Sequence, residues 1–186
     1  MVIKIITNAL LFFAVLSGQD AYSLQDENPN SSTYGIDVGP LYFEGKVVLH
    51  YFGAFTWGTC TTRFGELNEI NESLKREGYP VELIGVSKTA WIGGLNNWLN
   101  QGNAPICIDS PPYLIWNDWD VSQRDLFITN LDGEIVYKEN ITPGIPNNII
   151  DIISNHLSIK ENFSPVVFNL GQNFPNPFNG QTQILY

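Results

Sequence analysis

Apolar residues fall along this chain in clusters whose spacing switches between two periods. KVVLHYF, residues 46–52, is β-branched and aromatic with Gly45 before it, the composition of a largely buried strand. A turn rich in Gly and Thr follows over residues 53–62. Phe64, Leu67, Ile70 and Leu74 then recur at helical spacing until Gly78 stops the pattern. VELIGV, residues 81–86, reads as a second buried strand. Trp91, Leu95, Trp98 and Leu99 mark one face of a second helix, weakened by the pair Gly93 and Gly94. A short extended piece, residues 104–109, ends at Pro111 and Pro112. LFIT, residues 126–129, the Asp132-Gly133 turn and EIVY, residues 134–137, form a strand, turn and strand. Pro146 lies near the start of a last helix with Ile149, Ile150, Ile153 and Leu157 on its apolar face. The order β-α-β-α-β-β-α predicts an α/β fold, a central mixed β-sheet flanked by helices.

The N-terminal region follows neither period. Lys4 precedes an apolar run over residues 9–16, and the small residues Ser17, Gly18 and Ala21 follow it. This predicts a signal peptide over residues 1–18, with an apolar run too short to span a bilayer well. No cysteine lies near the cleavage region, so a lipid anchor is not indicated. No later segment is apolar for long enough to cross a membrane, and none is expected to do so once the leader is removed. Residues 19–33 are polar and contain QDENPNSS, which reads as a linker extending over 19–37. The folded domain is expected over 38–160, with a second linker over 161–169.

Composition narrows the chemistry. The chain has 186 residues and is 44% hydrophobic, enough for one domain with a core plus tails. Its formal net charge of −10 disfavours binding to nucleic acid or to anionic lipid. Two cysteines are present, Cys60 and Cys107. Export takes them to an oxidising compartment where a disulfide can persist, but two do not make a disulfide framework. His50 and His156 are far in sequence from both cysteines, so no metal site is expected, and no other cofactor. There is no phosphate loop, dinucleotide fingerprint or Ser-His-Asp arrangement. Asp118, Asp120 and Asp125 read as solvated loop charges. Trp91, Trp98, Trp116 and Trp119 read as core and groove packing.

The strand order, with a turn directly after the first strand, is similar to that of the thioredoxin superfamily. KVVLHYFGAFTWGTCTTRF, residues 46–64, resembles the family's strand, active-site turn and helix start without a gap. Asp109 and the hairpin NLDGEIVY, residues 130–137, resemble the secreted redoxin branch. SQRDLFITNLDGEIVY, residues 122–137, is similar to the thioredoxin-like domain of selenoprotein P. The resemblance covers about residues 38–159 and implies a thioredoxin-like fold with thiol–disulfide chemistry. Family members carry Cys-x-x-Cys at the turn. Here Trp57 stands at the position of the family nucleophile and Cys60 at the resolving-cysteine position. Arg124 and Asp125 stand where the family has a cis-proline.

The first departure removes the attacker. Dithiol exchange needs a thiolate to attack and a second thiol to resolve the mixed disulfide, and an indole is neither. Cys60 is then a relict buried thiol, a single working thiol that forms mixed disulfides, or a partner of Cys107. For Cys107 itself, in the apolar stretch Ile106-Cys107-Ile108, core packing is the default. Trp57 is a packing residue, a ligand-facing aromatic, or a misread selenocysteine, since the codons differ at one base. The function implied is an exported redox protein with a degenerate Trp-x-x-Cys motif, its partners protein thiols or disulfides. The rival is a redox-inactive binding module that keeps the fold for protein contacts.

The C-terminal stretch LGQNFPNPFNGQTQILY, residues 170–186, resembles the opening of a C-terminal sorting domain of the type IX secretion system, with Gly180 where proline is usual. Only the first strand of such a domain is present. The implied partner is the secretion machinery. The implied route runs through the periplasm to the cell surface or the medium.

Overall fold

A computed structural model describes residues 21–157. The signal peptide over 1–18, the linker over 161–169 and the sorting-domain start over 170–186 lie outside them.

The first apolar run becomes the centre of the molecule. Strand β3, Val47–Phe52, is buried along its whole length. It follows two short strands, β1 (Leu24–Gln25) and β2 (Asp37–Val38), that pair antiparallel with each other. Helix α1 runs over Gly58–Arg76, and β4 over Val81–Lys88 lies parallel to β3 with His50 opposite Ile84. Strand β5, Ile106–Asp109, extends the parallel set with Ile106 opposite Gly85. Strands β6 (Asp125–Thr129) and β7 (Ile135–Asn140) form the hairpin, and β6 lies antiparallel to β3. The five-stranded sheet has the order β5-β4-β3-β6-β7. The mixed sheet expected from the sequence is present, and the short extended piece before the two prolines is its edge strand.

Alternation along β3 divides the core in two. Val47, Leu49 and Tyr51 face one layer with Phe64, Leu67 and Leu74 of α1, Trp98, and Ile149 and Ile153 of the last helix, α4 (Ile149–Leu157). Val48 and Phe52 face the other layer with Ile84, Val86, Cys107, Trp116 and Trp119. The second predicted helix divides in two. Residues Thr89–Gly94 form a 3-10 turn, and only Leu95–Leu99 are α-helical (α2). Its glycines explain this. A Cβ on Gly94 would lie 2.6 Å from the backbone of Phe55, so the turn packs directly on the chain that leaves β3. A further short helix, α3 (Leu114–Asp118), has no counterpart among the sequence expectations.

The linker expected over 19–37 is corrected within the described residues. From Tyr22 onward the segment is a strap across the second core layer. Tyr22 and Val38 are buried, and so are the polar residues Asp26 and Asn28. The Asp26 carboxylate accepts backbone N–H groups of Asn28 and Ile106, both at 2.9 Å, and the Thr33 hydroxyl at 2.9 Å. Asn28 donates to the Ala104 carbonyl at 2.8 Å. Polarity that reads as solvation in the sequence is here consumed by backbone groups at the sheet edge.

Candidate functional site

The site forms where β3 ends. Phe52 gives way to a tight passage, residues 53–56, and Trp57 takes the N-cap position of α1 with extended backbone and no side-chain cap. Cys60 therefore falls in the helix's first turn, as the motif resemblance requires. It is fully buried. Its sulfur faces two donors from the loop before β6: the Gln123 amide at 3.6 Å and the Arg124 guanidinium at 4.0 Å. Beneath it lies Tyr51, whose phenol burial pushes well above its usual range, with Cys60 beside it adding to the effect.

Arg124, where the sequence resemblance sets a cis-proline, directly precedes β6. Its backbone is left-handed, with φ of 74°, and the one cis bond among the described residues joins Pro111 to Pro112. Two backbone hydrogen bonds hold it. Its N–H donates to the Phe52 carbonyl at 2.8 Å, and its own carbonyl accepts from Ile141 at 2.9 Å. Its side chain donates to the Thr142 hydroxyl at 2.8 Å and lies over the Trp57 ring, 5.7 Å from the centroid. Trp57 is 50% exposed, so it is not a core packing residue.

Asp125 is a second correction. It is buried rather than a solvated loop charge, accepting from the Ser122 N–H at 2.7 Å and the Asn140 amide at 2.8 Å. Lys138 lies 3.8 Å away as its countercharge. The expected solvation does hold for Asp120, whose side chain is open to solvent.

The structure separates the two cysteines. Both are free thiols, one in each core layer, so the pairing of Cys60 with Cys107 is not formed. Burial pushes the Cys107 thiol well up, and the carboxylates of Asp26, Glu27 and Asp37 push it further, which makes it unreactive as a thiolate source. Asp109 is a buried carboxylate. It closes β5 and accepts the Trp116 N–H at 3.2 Å, in the first turn of α3. Burial raises its carboxyl, against the hydrogen bonds from Trp116 and Ile115. His50 lies in the second layer, hydrogen-bonded to Tyr22 at 2.8 Å and to Thr129 at 3.1 Å. Among the described residues no group of three or more His, Cys, Asp or Glu could hold a metal ion, and no helix is long and apolar enough to cross a membrane.

The fold of this chain recurs in solved structures. A secreted disulfide oxidoreductase of Mycobacterium tuberculosis, homologous to E. coli DsbE, superposes with a TM-score of 0.56 at 14% identity, over 76% of this chain and 97% of that one. The thioredoxin domain of a thiol-disulfide oxidoreductase from Bacteroides vulgatus gives 0.56 at 17% identity, over 72% and 93%. A thiol:disulfide interchange protein of the thioredoxin family from Chlorobium tepidum gives 0.58 at 13% identity, over 74% and 94%. The fold is thioredoxin-like. No family model matches the chain, and no curated protein does.

Sequence reasoning located Trp57 and Cys60, because they are local to one turn. It noted Arg124 only as a missing proline. Its approach to Cys60 spans 64 positions and leaves no periodic signal. Gln123 was missed for the same reason.

Proposed function

We propose that this chain is an exported thioredoxin-fold protein of thiol–disulfide chemistry whose one working sulfur is Cys60. The observation that carries this reading is the sulfur's place in the first turn of α1, facing the Gln123 amide and the Arg124 guanidinium. The Cys60 thiolate attacks one sulfur of a partner protein's disulfide. The partner's S–S bond breaks, a bond from Cys60 to the attacked sulfur forms, and the other sulfur leaves as a thiolate that takes a proton from water. Cys107 lies in the other core layer, so the mixed disulfide waits for a thiol from outside. The leader over residues 1–18 and the sorting-domain resemblance over 170–186 support an extracytoplasmic setting: periplasm in transit through the secretion machinery, then the cell surface or medium.

A second reading, a redox-inactive binding module, is favoured by full burial of Cys60 together with the half-exposed Trp57. An insulin-reduction assay with thiol trapping separates the two. The unaltered chain gives no turnover, because nothing resolves its mixed disulfide. Trp57→Cys restores a dithiol and raises the rate roughly tenfold over background, and adding Cys60→Ser removes the gain. A native protein whose Cys60 forms no mixed disulfide with any small disulfide is the binding module instead. The intact mass of protein from its own source tells tryptophan from selenocysteine at position 57.

A further inference from the structure

Among the described residues Arg124 is a cation without a counterion, in a chain of formal net charge −10. Among the described residues its guanidinium meets the Thr142 hydroxyl, the Cys60 sulfur and the Trp57 ring, and no carboxylate. The nearest acidic neighbour in sequence, Asp125, is turned inward and paired with Lys138. The other basic side chain on this side of α1, Arg63, is committed to Glu66 at 2.7 Å and to the Ile141 carbonyl. Nε and Nη1 of Arg124 are engaged, and the Nη2 edge has no hydrogen-bond partner among the described residues. That edge is held in place by the left-handed backbone, by Thr142 and by the exposed indole beneath it.

A guanidinium with an unpaired N–H edge beside an aromatic ring offers a carboxylate a charge-assisted hydrogen bond. We propose that Arg124, set over the Trp57 ring, recognises a carboxylate on the partner and so selects disulfides that carry an acidic group beside the sulfur presented to Cys60. The overall negative charge of the protein does not override this. Screening over about 8 Å at physiological salt leaves the local cation dominant at contact distance. The choice of disulfide as the partner's reactive group rests on the reading of Cys60 as the working sulfur, whereas the choice of carboxylate rests on Arg124 and Trp57 alone.

The test compares two small disulfides on the Cys107→Ser protein: dithiobis(nitrobenzoate), which carries carboxylates, and the neutral dithiodipyridine. Burial of Cys60 slows both, so the ratio of their rates isolates recognition. Arg124→Gln is expected to lower that ratio about tenfold, and any change it makes to the sulfur itself affects both reagents and cancels in the ratio; Arg124→Lys, which keeps charge but loses the planar group, is expected to fall between. Raising the salt lowers the ratio for the unaltered protein and not for Arg124→Gln, a readout that holds even where a variant is destabilised. A ratio that is unchanged by substitution and by salt overturns the proposal. If neither reagent modifies the folded protein, the redox reading fails, and recognition is then read on Cys60→Ser by NMR titration. The peptide Glu-Ser-Glu shifts the Trp57 indole at lower concentration than Gln-Ser-Gln, and Arg124→Gln erases the difference. Equal titrations overturn the proposal.

Discussion

A charged imidazole has no place at position 50. The ring is fully buried between Tyr22 and Thr129, with Trp119 edge-on at 5.1 Å, and burial lowers its pKa from the ordinary 6.5 to about 3. The unfolded chain takes up a proton below pH 6.5 and the folded chain does not until about pH 3. The contribution of His50 is therefore complete above pH 6.5 and is lost as pH falls toward 3, at up to about 1.4 kcal/mol per pH unit. Denaturant midpoints measured from pH 7 to pH 4 should fall less steeply for His50→Gln than for the unaltered protein, and equal slopes would show that the ring titrates freely. In the sequence, His50 is one polar letter inside an apolar run. The strand was legible in spite of it, but the hydrogen bonds that let it stay neutral lie 28 and 79 positions away.

Elements were legible where one period ran uninterrupted. β3, α1, β4 and the hairpin strands lie within a few residues of their expected bounds, because apolar spacing there reflects burial directly. Two elements were misread, each for a physical reason. The second helix gives way to a 3-10 turn because Gly94 must approach Phe55. The strap reads as linker because its buried groups are polar. Asp26 joins strap to sheet, and removing its carboxylate strands the N–H groups of Asn28 and Ile106 in a dry site. Asp26→Ala should cost about 3 kcal/mol in urea unfolding, with faster hydrogen exchange at Ile106. A loss below about 0.5 kcal/mol would mean that the strap is held by its apolar residues alone.

Gly85 acts on the same scale. It faces the stacked rings of Phe64 and Trp98, whose centroids are 4.5 Å apart, and a Cβ there would lie 2.6 and 2.8 Å from them. Gly85→Ala should cost about 1–3 kcal/mol and change the near-ultraviolet circular dichroism of the stack. An unchanged spectrum with unchanged stability would show that the rings are loosely held.

At the scale of the whole molecule, the sheet is a partition. Cys60 is in the layer under α1 and Cys107 in the layer under the strap, so oxidation of the folded monomer cannot join them. Treatment with oxidised dithiothreitol should leave both thiols countable by alkylation in denaturant, and a monomer lighter by two hydrogens would contradict the partition. The overall architecture was readable from the alternation of strand and helix. The layer that each sulfur occupies was not, because it depends on which face of β5 is covered by residues that precede it by some 80 positions.

That last contact also sets a timetable. Asp26 reaches Ile106 across 80 residues, and the Leu24 carbonyl lies 3.6 Å from the Cys107 sulfur across 83, so the earliest-synthesised part of the domain cannot settle until β5 exists. α1 and the β6–β7 hairpin close over short loops and can form while the chain is still growing. The strap is the final clasp: until it docks, the edge of β5 and the thiol behind it stay open to water and to other chains.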